Sequence, residues 1–210
     1  MASKKSFSVK MMDEDPVPET DASKDFLNFL TDKIKERYWC EKHLSKVLPK
    51  LRRSANSHYL KDALNGYSTS AQIHIERLEE IFELLGEPPT GKKCEGMAGL
   101  VEEAHNNIDQ TGKGSSLRNA GIVMAAQKIV RYQMSGYISL VQIAKTMGND
   151  DIISLMEASI KDEEMMDDFF TTASEKTLLD ADTFSKAAAP AQLRKNSATV
   201  YDSVNLDKKL

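Results

Sequence analysis

Glu41, His74, Gln133 and Glu163 each stand near the middle of a run of apolar residues spaced by threes and fours, where an amphipathic helix would bury them. Carboxylate, imidazole and amide groups at one level of a four-helix bundle are the donor types of a dinuclear metal site. The template has one Glu on each of two helices and a Glu-x-x-His pair on each of the other two. Carboxylates bridge two hard cations and offset their charge, His adds a nitrogen per metal, and the i to i+3 spacing puts both ligands on one helix face. Here Glu41 lies seven residues after Ile34 and seven before Leu48. His74 is present, but Ala71 stands where its partner Glu would be. Gln133 takes the place of a third-helix Glu, and Glu163 is followed three residues on by Met166, not His. Three of six template ligands remain, and Asp167, one turn after Glu163, offers a further carboxylate. The candidate metal residues are therefore Glu41, His74, Gln133, Glu163 and Asp167, with iron or manganese as the ion if one is bound. No catalytic residue stands out beyond them.

Each residue also has a plainer role open to it. A lone seam histidine is satisfied by a core hydrogen bond, for which Gln133 and Tyr137 are in reach. An inward Glu can be neutralised by an arginine extending along its apolar stem, as Arg37 or Arg131 could. Against this, an uncompensated buried carboxylate costs several kcal/mol, and four seams carrying polar groups together point to an altered metal site. Tyr38, Tyr67 and Tyr137 lie near the same level and read as core residues with tethered hydroxyls. Met147, Met156, Met165 and Met166 read as core filler.

The elements that must position this layer follow from periodicity. Leu30, Ile34, Glu41, Leu44, Leu48 and Leu51 predict a first helix from an N-cap at Ser23 to about Arg53, with Pro49 bending its last turn. After a short connection at Ser54–Ser57, the residues Leu60, Leu64, Tyr67, Ala71, His74, Leu78, Ile81 and Leu85 predict a second, closed by Gly86 and Pro88-Pro89. Residues 87–116 are far too many to join adjacent bundle helices, so they must cross the bundle. Met97, Leu100, Val101, Ala104 and Ile108 predict a short helix within that crossover. A third long helix carries Val123, Ala126, Val130, Gln133, Tyr137, Leu140, Ala144 and Met147 and ends at Gly148. A fourth carries Ile153, Met156, Ile160, Glu163, Asp167 and Phe170 and fades near Lys176. Two hairpins joined by one long crossover give an all-α, ferritin-like four-helix bundle over residues 23–178, between a disordered lead at 1–22 and a flexible tail at 179–210.

The 210 residues, 40% apolar and 29% charged, fit one helical domain. A formal charge of −4 gives no electrostatic reason to expect nucleic acid as a partner. No stretch approaches the apolar run of about 18 residues that a membrane span requires, and none forms a signal sequence. Cys40 and Cys94 match no zinc or redox spacing and read as reduced thiols. The expectation is a cytoplasmic protein with no membrane partner.

The segments YWCEKHLSKVLPKL and LMEASIKDEEMMDDFF, with the motifs KKCEGMAGL and AAQK between them, resemble the ferritin-like YciE/YciF family of bacteria over roughly residues 24–178. The resemblance implies a stress-associated ferritin-like bundle, commonly a homodimer, that binds iron or another metal and is sometimes labelled a ferroxidase. Glu41 and Glu163 match the family's inward acids. Tyr67 stands where the family tends to have His, and the family's Val-Glu-His-Tyr-Glu run becomes Ile129-Val-Arg-Tyr-Gln133, which loses two carboxylates and a His. The expected role is therefore structural or binding, around an incomplete dinuclear site. The rival is a di-iron or di-manganese oxidoreductase, oxidising ferrous iron or disposing of peroxide, with Glu41, His74, Glu163 and Asp167 as ligands and Gln133 as a neutral one.

Overall fold

The computed structural model describes residues 21–179. It consists of five helices: α1 Asp21–Ser54, α2 His58–Leu84, α3 Glu95–Asp109, α4 Ser116–Met147 and α5 Asp150–Leu179. No strand occurs among the described residues. The lead expected before residue 21 and the tail expected after residue 179 lie outside them. Helix α1 begins at Asp21, so Ser23 lies inside it, and Pro49 sits within the helix without ending it.

Local chemistry accounts for several of the helix ends. Gly86 takes the left-handed conformation, φ 67°, and its N–H bonds the Glu83 carbonyl while the Glu87 N–H bonds that of Phe82, both at 3.0 Å. This is a Schellman motif, which satisfies carbonyls that the last turn of α2 would leave bare. Ser115 caps α4 by accepting the Arg118 N–H at 3.1 Å. Gly148, also at φ 67°, closes α4. Asn149 then accepts the Ile152 N–H at 3.1 Å and starts α5, whose first turn carries Asp150 and Asp151 at the positive end of the helix dipole.

Two apolar clusters give each helix a direction. Leu30 and Ile34 of α1 belong to a cluster with Phe82 and Met156, whereas Leu44, Leu48 and Leu51 belong to one with Tyr67 and Phe170. Helices α2 and α4 run from the Tyr67 cluster to the Phe82 cluster, and α5 runs back. Helix α1 packs on α2 and α4, and α5 packs on the same two, so each of these four pairs is antiparallel. Helix α2 thus ends at the far end of the bundle from the start of α4. The connection spans that length with α3, which buries Met97, Val101, Ala104 and Ile108 against α4 and α1. This is the ferritin-like bundle with a crossover helix.

One register differs from expectation. The inward face of α5 is Ile152, Met156, Ser159, Glu163, Met166, Phe170, Ala173 and Thr177, an alternation of four and three. Ile153, Ile160 and Asp167 lie on its flank, half-buried. Among the described residues no helix is long and apolar enough to cross a membrane.

Candidate metal centre

The two apolar clusters are separated by a polar layer. Glu41 from α1, His74 from α2, Gln133 from α4 and Glu163 from α5 meet there, each with 0% exposure. The seams place them together because each occupies a core position where its own helix passes from one cluster to the other.

Glu41 Oε1 is the hub. It accepts hydrogen bonds from Gln133 Nε2 at 2.7 Å and from the Tyr137 hydroxyl at 2.8 Å, and lies 3.2 Å from His74 Nδ1. Glu163 Oε1 lies 3.5 Å from the same His74 nitrogen and 3.5 Å from the Tyr67 hydroxyl. One ligand atom from each of Glu41, His74 and Glu163 falls within 4.8 Å of the others. Glu41 Oε2 and Glu163 Oε2 are buried without a hydrogen-bond partner, and His74 Nε2 lies 3.4 Å from Asp162 Oδ2. Buried polar atoms are rarely left so. Two orphaned carboxylate oxygens beside an imidazole fit one divalent transition-metal ion.

Burial pushes the Glu163 carboxyl well above its ordinary value of 4.5, and the nearby Glu41 pushes it the same way. Burial, with the charges of Glu163 and Glu41, raises the Tyr67 hydroxyl. Burial and Glu41 raise that of Tyr137, so both phenols are held as donors.

The other half of the layer is filled from within. Arg37, 8% exposed, lies one turn before Glu41 and donates from Nη1 to Gln133 Oε1. The Gln133 amide is thereby used at both ends, and its oxygen, the atom that would ligate a metal, already accepts from a cation. Burial works to lower the Arg37 pKa, but its neighbours Cys40, Tyr137 and Glu41 work the other way and prevail, so the guanidinium stays charged. Gly136 makes the space: a methyl group there would overlap the Arg37 guanidinium.

Of the five candidate ligands, the structure brings Glu41, His74 and Glu163 together and puts Gln133 beside them in the service of Arg37. Asp167 is elsewhere. Its carboxylate bonds Arg131 Nε at 3.1 Å on the outer face, because Met166 takes the inward position. Arg131 is therefore engaged at the surface, and Arg37 is the arginine that enters the core. Tyr38 bonds Glu79 at 2.6 Å, away from the layer. Arg37 had a signal in the sequence, since Ile34, Arg37, Glu41 and Leu44 continue one inward face. Gly136 had none until Arg37 was placed.

An all-helical bundle with a crossover helix and a buried carboxylate–histidine layer defines the class, a ferritin-like bundle protein. Within that class, the domain of unknown function DUF892 matches residues 25–181, and the chain belongs to this family. Protein YciF of Escherichia coli (strain K12) is 29% identical over 143 residues, which cover 68% of this chain and 83% of that protein. The crystal structure of the E. coli stress protein YciF aligns with a TM-score of 0.69 and 25% identity, over 73% of this chain and 96% of that one. The solved structure of YcfI from Rhodopseudomonas palustris aligns with a TM-score of 0.67 and 28% identity, over 70% of this chain and 93% of that one. The resemblance to the YciE/YciF family is upheld by both kinds of match.

Proposed function

We propose that this protein is a stress-associated helical bundle with a mononuclear, non-catalytic cation site, the remnant of a dinuclear one. Glu41, His74 and Glu163 would hold the ion, with iron or manganese suited to two carboxylate oxygens and one imidazole nitrogen. A bound ion of either kind supplies Lewis acidity and redox capacity. The chain's own residues set the limits on its use.

Arg37 carries this reading. Once Glu163 gives up its proton to ligate, two carboxylates and one guanidinium sum to a single negative charge in the layer. One divalent cation reverses that charge, and a second would add to an uncompensated positive excess in a buried site. Gln133, already bonded to Arg37, offers the second ion no free acceptor. Tyr137 and Gln133 fix Glu41 by donating to one oxygen, which leaves the other to face the ion. Similarity to a protein described as a stress protein supports the physiological setting. The reading includes the homodimer that the family resemblance implied and the cytoplasmic location expected from the sequence.

Anaerobic loading with ferrous iron, followed by oxygen or hydrogen peroxide, tests the non-catalytic claim. Oxidation no faster than that of the same iron in buffer is expected. Sustained multiple turnover above that background would establish the oxidoreductase instead.

A further inference from the structure

Outside the polar layer, the fold brings two thiols together that no sequence spacing paired. Cys40, on α1, and Cys94, the N-cap of α3, are buried in the same core cluster and their thiols interact. The Cys94 sulfur also lies 2.9 Å from the Tyr132 hydroxyl of α4, and the Tyr132 ring centroid is 5.6 Å from the Arg37 guanidinium carbon. Gly96 permits this approach: a side chain there would meet the Tyr132 oxygen at 2.6 Å. Arg37, Cys40, Cys94 and Tyr132 all line one cavity of about 290 Å³. The two cysteines are buried, so a small solute reaches them through that cavity while bulky reagents do not.

We propose that Cys40 and Cys94 are a peroxide-oxidisable dithiol, which closes to a disulfide when a small hydroperoxide enters this cavity. The sulfur of Cys94 attacks the terminal peroxide oxygen, and an S–O bond forms as the O–O bond breaks. The departing oxygen takes up the proton released by the thiol and leaves as water or an alcohol. Cys40 then attacks the sulfenic sulfur. The S–S bond forms, the S–O bond breaks, and hydroxide leaves with the Cys40 proton as water. The dithiol loses two electrons and the peroxide gains them. Arg37 and the Tyr132 hydroxyl lie where negative charge builds on the departing oxygen.

Three features favour Cys94 as the attacking group. The neighbouring Cys40 thiol draws it down to about 5 against the effect of burial, and the Tyr132 hydroxyl, 2.9 Å from its sulfur, acts in the same direction. It stands at the start of a helix, where anionic sulfur is favoured. It also ends the non-helical connection after α2 on extended backbone, φ −103°, whereas Cys40 is held within α1. The inference needs no bound metal and stands apart from the mononuclear reading.

The test treats the reduced full chain with hydrogen peroxide in the presence of a chelator, then reads free thiols and non-reducing peptide mass spectra. One equivalent of peroxide should remove both thiols and link the Cys40 and Cys94 peptides within one chain. Cys40→Ala should stop at a Cys94 sulfenic acid that dimedone traps, and Cys94→Ala should leave Cys40 reduced. Tyr132→Phe, which removes only the hydroxyl, should slow the loss several-fold. Wild-type chain that keeps both thiols under excess peroxide would overturn the proposal without recourse to any variant. So would oxidation of Cys40 at the wild-type rate in Cys94→Ala.

Discussion

Between α2 and α5 the buried layer presents His74 beside the orphaned Oε2 of Glu163, whereas between α1 and α4 it presents Arg37 and Gln133 bonded to each other, with only Arg37 Nε left bare. Glu41 serves both halves, its Oε1 tied to Gln133 and Tyr137 and its Oε2 bare. The two halves solve the same problem, charge buried in apolar surroundings, by opposite means. One keeps donor atoms available to an external cation. The other carries its cation on the chain, in space that Gly136 leaves. On the proposed reading, a dinuclear site becomes mononuclear in this way without loss of the bundle, because Arg37 supplies a charge that the layer would otherwise require from solution.

The largest expected effect comes from removing what the halves share. Glu41→Ala takes the acceptor from Gln133 and Tyr137 and the nearest core carboxylate from Arg37, and should lower stability by about 3–5 kcal/mol in urea denaturation. A loss below about 1 kcal/mol would mean that the halves do not depend on Glu41. Gly136→Ala strikes only the filled half. It should cost about 1–3 kcal/mol by forcing the guanidinium out of place. In an Arg37→Met background the same substitution should cost far less, since the group it strikes is gone. Additive losses would place the clash elsewhere.

Glu163→Gln isolates the open half. A carboxyl whose folded pKa is raised keeps its proton in the folded chain where the unfolded chain has lost it, so stability falls as pH rises above 4.5 toward the raised value. In chelator the variant should therefore be more stable than wild type at neutral pH, with the advantage vanishing below pH 4.5. Equal stability of the two chains across the range, in thermal denaturation, would remove the desolvated carboxyl from the account. The smallest effect belongs to Asp167→Asn, which breaks an exposed pair with Arg131. Thermal denaturation should register about 0.5 kcal/mol or less, with metal retention unchanged.

The bundle, its crossover and the four-residue layer were legible in the sequence because seams alternating by three and four fix which residue faces inward. Gly86 and Gly148 marked helix ends for the same local reason that the structure uses them. The site was legible less evenly. Helix α5 carries apolar residues on two adjacent registers, Ile152 and Ile153, and a shift of one residue turns a side chain by about 100°. That ambiguity put Asp167 inward on paper, where the structure has Met166. Arg37 and Arg131 were both within reach of an inward Glu, and the inward register of Ile34, Arg37 and Glu41 was the signal that favoured Arg37. The Cys40–Cys94 contact depends on where the crossover lays α3 across α1, a long-range fact that no local spacing encodes.

The number of divalent ions retained per chain tests the central claim most directly. Protein equilibrated anaerobically with manganese or ferrous iron, desalted and analysed for metal should hold one ion per chain, and Glu163→Gln should hold none. Two ions per chain in the wild type, or one ion still held by Glu163→Gln, would contradict a layer with one half open and the other filled by Arg37.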